Sequence, residues 1–521
     1  MSSILIALLA LPMLQEPAAS ASATIQDAAS ISQSDSSVAI SHEEKVKRTY
    51  IFTTGSRYML QRVLDELLAD EQLRRKEANL PLADVEISDE EVETALAARI
   101  EAVRAQDPSL DFWQQVIAQG FTEKTFRQEM RRSIKARAMF FPLDPEQWPA
   151  EQLQEILGEQ YWDGMMADSL KERLEAKAKN EPMGQINDQT LNMLLMPTIW
   201  RYLMDKAEIL YPVDGLPEGV AMRVNGRDVK TDEVIAIINP FLGETDRKWA
   251  EIFVNRIEAA EAALTESGKW LSDEAAAELL AAEAAEYEGT FIPHEMMVTQ
   301  FLGYPSMEVY SQFFRAKHSF RQTLPEEGTE EYRKLQDAQI ASRSTFYGAG
   351  KVDVDIILIS ARDLATGKFS LSGDPYQAAK EHANEVAEIL ATGTDFEEVL
   401  MEYSDLPERV PGSRDGMPQP HRGHLGMQSR NDLRGFVGES DYTDFLFGYS
   451  ISDDIFFLAE EGGIYGPVRG PYGYYFYRVK SRLAPANKID IDANERDLYI
   501  VNDDLLTTSF LKFLDGLPEA N

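Results

Sequence analysis

The sequence predicts an α+β protein. A long, mostly helical N-terminal part with signs of internal duplication precedes a compact domain of mixed strands and helices. Three observations carry this expectation. Apolar residues recur three and four apart across much of residues 43–345, the period of an amphipathic helix. From Lys351 the period changes, because Val352-Asp353-Val354-Asp355-Ile356 alternates before Ile357-Leu358-Ile359 continues as an apolar run. Such a pattern marks a strand buried on at least one face. Two capped helices and two tyrosine-rich β segments then follow within an ordinary domain length.

In chain order, Ile4 to Leu14 form an uncharged run of eleven residues that includes Pro12. That is short of the ~20 apolar residues a membrane-spanning helix needs. Ala21-Ser22-Ala23 follows as a small-x-small cleavage pattern, so residues 1–23 read as a secretory signal peptide, although one without a basic n-region. No later run is long enough to insert stably into a membrane. Residues 24–42, rich in Ser, Ala, Gln and Asp, read as a flexible linker. A first helical module is expected over 43–215. Tyr58, Leu60, Val63, Leu64 and Leu67 form one stripe, and Phe126, Met130, Ile134 and Ala138 another. Between them Ser88-Asp89-Glu90-Glu91 has the form of a capping box ahead of Val92, Leu96 and Ile100.

A second helical module is expected over 216–345. Ile87-Ser88-Asp89-Glu90 is echoed by Leu271-Ser272-Asp273-Glu274, 184 residues later. Gly120-Phe121 is echoed by Gly303-Tyr304, and Phe126 and Met130 by Tyr310 and Phe314, at the same interval to within one residue. Agreement across three landmarks favours duplication over a chance helix start. Val224-Asn225-Gly226-Arg227 adds a hairpin signal, since Asn-Gly suits a two-residue turn. The Met and aromatic stripes have two readings, ordinary bundle cores or adaptable grooves for unfolded segments.

The α+β domain is expected over 346–486. Asp374-Pro375 is an N-cap with Pro at N1, and Gly393 ends that helix. Asp395 caps the next helix with Glu398 at N3, and Ile464–Val468 and Gly473–Val479 read as strands. Residues 487–521 carry alternating and then helical apolar positions, ending in Leu505, Phe510, Leu511, Phe513 and Leu514.

Composition narrows the function. The 521 residues carry 51 Lys+Arg against 88 Asp+Glu, a formal charge of -37, which disfavours nucleic acid or an anionic membrane surface as main partner. The absence of cysteine excludes disulfides, thiolate metal sites and cysteine nucleophiles. His421 and His424 have too few neighbouring ligands to suggest a metal. Asp490, Asp492 and Asn494 open like a calcium loop, but Glu495 and Val501 stand where Gly and Glu are required. There is neither a Gly-x-Ser-x-Gly elbow nor a phosphate-binding loop.

Residues 352–483 resemble a parvulin-type (PpiC) peptidyl-prolyl cis/trans isomerase domain. The landmarks are the opening strand, Gly393-Thr394-Asp395-Phe396-Glu397, Tyr403-Ser404-Asp405, Gly423-His424-Leu425-Gly426, Ile455-Phe456-Phe457-Leu458, Gly466-Pro467-Val468 and Gly473-Tyr474-Tyr475. Residues 435–450 read as an insertion in that pattern. The upstream modules, with Val224-Asn225-Gly226, resemble the helical chaperone part of SurA-type periplasmic foldases. The resemblance implies a periplasmic or otherwise exported foldase that binds unfolded or proline-containing polypeptides without ATP or any other cofactor. It also implies that the C-terminal segment packs back on the helical part.

Family members use two histidines and a Cys or Asp beside an apolar proline pocket. By the resemblance those three positions fall on Ile356, Leu406 and Tyr475. Asp405 and Tyr475 remain as candidate catalytic groups, with Leu433, Phe436 and Phe457 as candidate pocket residues. Ile356 and Leu406 cannot supply a polar group, so isomerase activity is expected to be weak or lost. The expectation is therefore a folding chaperone with a degenerate isomerase domain. The alternatives are a working isomerase and a non-catalytic scaffold.

Overall fold

The computed structural model describes residues 40–54, 56–80, 82–106, 108, 110–118, 121–140, 198–212, 215–239, 243–290, 292–364, 368–370, 373–406, 423–485, 487 and 489–517. The expected signal peptide, almost all of the expected linker, Gly120 and His421 lie outside the described residues. The described residues form two compact units, one drawn from residue 40 and 56–239, the other from 41–54 and 243–517. Both helices and small antiparallel sheets are present, as an α+β protein requires.

Helix α1 (His42–Thr54) groups with the second unit. The first unit opens with α2 (Ser56–Glu77), followed by α3 (Asp89–Gln106), α4 (Phe112–Ala118) and α5 (Glu123–Phe140). The expected capping box starts α3: the Ser88 amide donates to Glu91 Oε2 at 2.8 Å and the Glu91 amide donates to Ser88 Oγ at 3.2 Å. Val92, Leu96 and Val103 of α3 then bury against Phe112, Phe121, Phe126 and Met130. Phe126 meets Phe112 and Phe121 edge-on at 5.6 and 5.7 Å, the geometry that ring quadrupoles favour. Strands β1 (Ile209–Leu210), β2 (Val220–Val224) and β3 (Arg227–Lys230) make a sheet in that order, and α6 (Thr231–Ile238) follows. Asn225 and Gly226 both have positive φ (48° and 79°), as the β2–β3 turn requires.

The second unit continues with α7 (Glu244–Glu266), α8 (Asp273–Glu286), α9 (Met307–Arg321) and α10 (Glu330–Tyr347). α1 lies along α7. The echoed segments share one local device. On α5, Arg131 donates to the Ile87 carbonyl and pairs with Asp89. On α9, Arg315 donates to the Leu271 carbonyl and pairs with Asp273. Arg131 and Arg315 are themselves 184 residues apart.

Strand β4 (Lys351–Ser360) follows, then α11 (Pro375–Ala391), α12 (Phe396–Tyr403), β5 (His424–Gln428), α13 (Arg430–Val437) and α14 (Asp441–Phe447). β6 (Ile464–Gly470) and β7 (Gly473–Leu483) complete an antiparallel sheet of order β5-β4-β7-β6. Asp374 caps α11 by accepting from the Tyr376 and Gln377 amides, Asp395 caps α12, and Gly393 has φ of 86°. α11 and α12 pack on β4, and α11 also packs on β7.

The final helix, α15 (Glu495–Asp515), lies against α7, α9 and α10. Its Phe510 has no exposed surface and meets Phe313, Phe320 and Phe445 at ring-centroid distances of 5.7, 5.7 and 6.4 Å. Phe445 belongs to α14 and also meets Phe253 of α7 at 5.1 Å. The segment that reads as an insertion thus supplies the aromatic residue joining the sheet domain to the helices.

Phe510→Ala is expected to destabilise the second unit by about 3–5 kcal/mol, the usual cost of truncating a buried Phe. Tyr499→Ala, at a residue 66% exposed on the same helix, is expected to stay within about 0.5 kcal/mol. Guanidinium unfolding followed by circular dichroism checks both, and equal midpoints for the two variants would reject this junction as a source of stability.

Candidate functional site

The two faces of the four-stranded sheet differ in chemistry because β4 alternates. Val352, Val354, Ile356 and Leu358 enter one apolar cluster with Leu425, Leu433, Val437, Ile451, Ile455, Phe456, Tyr475, Tyr477 and Val479. Leu406, Phe436 and Phe457 pack against that cluster as partly buried residues. Six of the seven residues singled out in the sequence therefore share one neighbourhood. Asp405 is the seventh, and its groups serve the backbone. Its amide donates to the Leu358 carbonyl at 2.8 Å, and its Oδ2 accepts from the Ser360 amide at 2.8 Å.

The Tyr475 side chain is fully buried, and its hydroxyl donates to the Val437 carbonyl at 2.8 Å. Burial pushes its ionisation well above the ordinary tyrosine range, so it remains a neutral donor with its one proton in use. Leu433 has no exposed surface. Phe457 lies under the Arg343 guanidinium, 4.3 Å from ring centroid to Cζ. Ile356 is 1% exposed, and its amide donates to the Gly423 carbonyl at 2.8 Å. Gly423 has φ of 110°, and a Cβ there would lie 2.0 Å from the Ile356 carbonyl oxygen, so only glycine fits. This face is apolar among the described residues, and its two buried tyrosine hydroxyls are engaged: Tyr475 on Val437, and Tyr477 on Asp454 at 3.2 Å.

The opposite face holds a group of charges that pattern reading missed. Asp355 is fully buried. One carboxylate oxygen meets His424 Nδ1 at 2.8 Å and Lys480 Nζ at 2.9 Å, and the other accepts from Arg478 at 2.9 Å. Arg478 also covers the Phe396 ring of α12 at 4.9 Å, and His424 Nε2 lies 3.8 Å from Glu397. Burial raises the Asp355 carboxyl, but the hydrogen bonds from Arg478, His424 and Lys480 outweigh it and hold the group below the ordinary carboxylate range. Register builds the knot, because Asp355 stands opposite Arg478 on β7 and His424 on β5. The signal available in sequence was acidic residues at alternate positions of an otherwise apolar strand. His424, a landmark of the resemblance with too few neighbouring ligands to suggest a metal, serves here as a partner of Asp355.

Comparison with known proteins gives a loose likeness. No protein-family model matches the chain, and no curated protein does. Among solved structures, a peptidylprolyl isomerase (PrsA) from Bacillus anthracis is 16% identical over 50% of this chain and 97% of its own, with a TM-score of 0.20. PrsA from Bacillus subtilis is 16% identical over 56% and 89%, with a TM-score of 0.15. A peptidylprolyl isomerase (PrsA) from Bacillus cereus is 14% identical over 56% and 89%, with a TM-score of 0.18. No described helix is long and apolar enough to cross a membrane.

The Asp355 knot has a testable pH signature. A carboxyl held low in the folded state contributes stability that is fully present above its unfolded pKa of about 3.9 and is lost as pH falls through the folded value. The difference in unfolding free energy between wild type and Asp355→Asn is therefore expected to stand at about pH 5 and to shrink towards about pH 2. Urea unfolding across that range measures it, and a difference independent of pH would remove Asp355 as the titrating group.

Proposed function

We propose that this chain is an exported folding chaperone built on a parvulin-like domain whose isomerase chemistry is weak or lost. The helix pairs α3–α5 and α8–α9 are, on this reading, diverged copies of one helical module. The observation that carries the reading is the state of the three positions where such a domain keeps its polar groups. Ile356 and Leu406 offer none, and the Tyr475 hydroxyl is committed to the Val437 carbonyl. Catalysis of prolyl isomerisation has to lower a barrier of about 20 kcal/mol by favouring a twisted amide. Among the described residues, none of those three positions has a free donor to offer that amide. That the landmark residues lie on a four-stranded sheet and its covering helices supports retention of the domain as structure. Binding of unfolded or proline-containing polypeptide is then the property that remains.

A second reading, an active isomerase using Asp405 and Tyr475, meets the difficulty that both groups already have backbone partners. In a protease-coupled assay the full-length chain is expected to accelerate X-Pro isomerisation weakly or not at all, while suppressing heat-induced aggregation of an unfolded test protein. Acceleration that Tyr475→Phe or Asp405→Ala reduces would transfer the assignment to the isomerase. Loss of both effects in a folded protein would leave only a scaffold.

A further inference from the structure

A cleft of about 490 Å³ opens in the first unit between the end of α2, the loop that follows it, and α5. Its walls combine Leu73 and Val85 with the cations Lys76, Arg131 and Lys135 and the carboxylates Asp84 and Glu86. The volume is that of a small-ligand or short-peptide site. Leu73 is 52% exposed and supplies an apolar wall, while Gln72 fixes the loop by donating to the Val85 carbonyl at 2.8 Å.

The charges in the cleft are not all neutralised within it. Arg131 is engaged by Asp89 and the Ile87 carbonyl, and Lys76 lies 3.6 Å from Asp84. Lys135 makes no ion pair among the described residues. The carboxylates acting on it, Asp65 and Glu86, do so from beyond contact distance, and Asp65 is itself held by Arg132 at 2.7 Å. Burial pushes the Lys135 ammonium below its ordinary range despite those two carboxylates. Glu86 lines the same cleft without touching Lys135, so Lys135 is a half-buried lining cation with no carboxylate in contact among the described residues.

The other helix pair places different residues at the corresponding positions. Position 135 corresponds, at the interval of 184, to Ser319, which is fully buried and accepts from the Leu271 amide at 3.0 Å. Position 86 corresponds to Trp270, whose ring lies 4.8 Å from the Arg315 guanidinium carbon. The connection also differs in length: residues 78–88 join α2 to α3, whereas residues 267–272 join α7 to α8. The longer connection holds Asn79 and Leu82 at positive φ (50° and 61°), a conformation that costs a non-glycine residue of order 1 kcal/mol or more. One helix pair thus fills these positions with the buried Ser319 and with Trp270 on Arg315, and the other has Lys135 and Glu86 lining a cleft.

We propose that this cleft binds an extended polypeptide segment by placing one of its carboxylates on Lys135, with an apolar side chain against Leu73. The proposal rests on the chaperone reading and gives it a location. An acidic side chain and a free C-terminus offer the same group, so the probes must separate them.

Three hexapeptides of the same apolar sequence, each labelled at its N-terminus with an uncharged BODIPY dye, serve: one with a free C-terminus, one amidated, and one amidated with an internal aspartate. Anisotropy titration of the full-length chain is expected to show binding of one or both carboxylate-bearing peptides at least about tenfold tighter than the amidated one, the value of one charge-assisted hydrogen bond. Lys135→Gln is expected to abolish that preference, and Lys135→Arg to retain most of it, with unchanged circular dichroism melting in both. A preference confined to the free C-terminus identifies a terminus-binding site, and one confined to the internal aspartate a side-chain site. Equal binding of all three peptides, no binding, or an unaltered preference in Lys135→Gln overturns the assignment. Aggregation suppression measured on the same samples separates the two levels: if Lys135→Gln and wild type suppress equally and no peptide preference exists, the cleft falls and the chaperone reading stands. If wild type suppresses nothing, the chaperone reading falls as well.

Discussion

The second unit depends on the burial of one cation. Arg343 sits inside α10 with non-helical angles (φ -122°, ψ 20°), and its side chain is only 10% exposed. A guanidinium removed from water costs several kcal/mol unless anions meet it. Two do: Asp453, at 2.9 Å, from the short helix before β6, and Asp504, at 2.8 Å, from α15. The Phe457 ring covers the cation at 4.3 Å. Asp504 also accepts from Gln339 at 2.8 Å and from Tyr347, so α10 holds α15 through several groups around one carboxylate. Three stretches far apart in sequence, the last helix before the sheet domain, a short helix within it, and the C-terminal helix, must be in place together before both anions reach this charge, whose Nη2 still lacks a hydrogen-bond partner among the described residues. An arrangement of that kind favours a single geometry, because leaving out any partner strands a buried charge.

The same constraint bears on the sheet face where a parvulin would do its chemistry. Phe457 is a candidate pocket residue, yet here it is the ring that faces Arg343. Tyr475 occupies a position that is polar in the family, yet its hydroxyl is tied to the last residue of α13. The polar and aromatic groups nearest the expected site are thus enlisted to hold α13 and the segment 451–458 against the sheet. An isomerase site needs a proline pocket that opens and donors that wait for substrate. Among the described residues the Tyr475 hydroxyl and the Phe457 ring are both engaged in packing contacts, which supports reading the domain as a structural and binding element.

What was legible in the sequence was local. Ser88, Asp374 and Asp395 announce helix starts because a cap is decided by residues three apart, and Asn225-Gly226 announces a turn because both positions require positive φ. The alternation of Val352 to Ile356 gave β4 for the same reason. The Asp355 knot was hidden, since nothing in the chain near Asp355 specifies that β7 sets Arg478 and β5 sets His424 opposite it. The role of residues 435–450 was hidden too. Phe445 reads as one more aromatic residue until α7, α9 and α15 are brought around it. Candidate pocket residues could be grouped from the family pattern, but whether each hydroxyl and ring was free depended on contacts from Val437 and Arg343 that only the fold supplies.

The net charge sharpens what a carboxylate-binding cleft can mean in this chain. With a formal charge of -37 the molecule as a whole repels an acidic segment at a distance. Such repulsion acts beyond contact range and is screened over about 10 Å at 0.1 M salt. A contact between Lys135 and a carboxylate inside a cleft is short and partly desolvated, and salt weakens it less. The two terms therefore respond differently to ionic strength: added salt reduces the long-range penalty while leaving much of the local attraction. A site of this design discriminates by contact rather than by steering, capturing acidic segments that already have an apolar neighbour to lay against Leu73. The bulk charge keeps the chain soluble, and selectivity is left to the few residues that line the cleft.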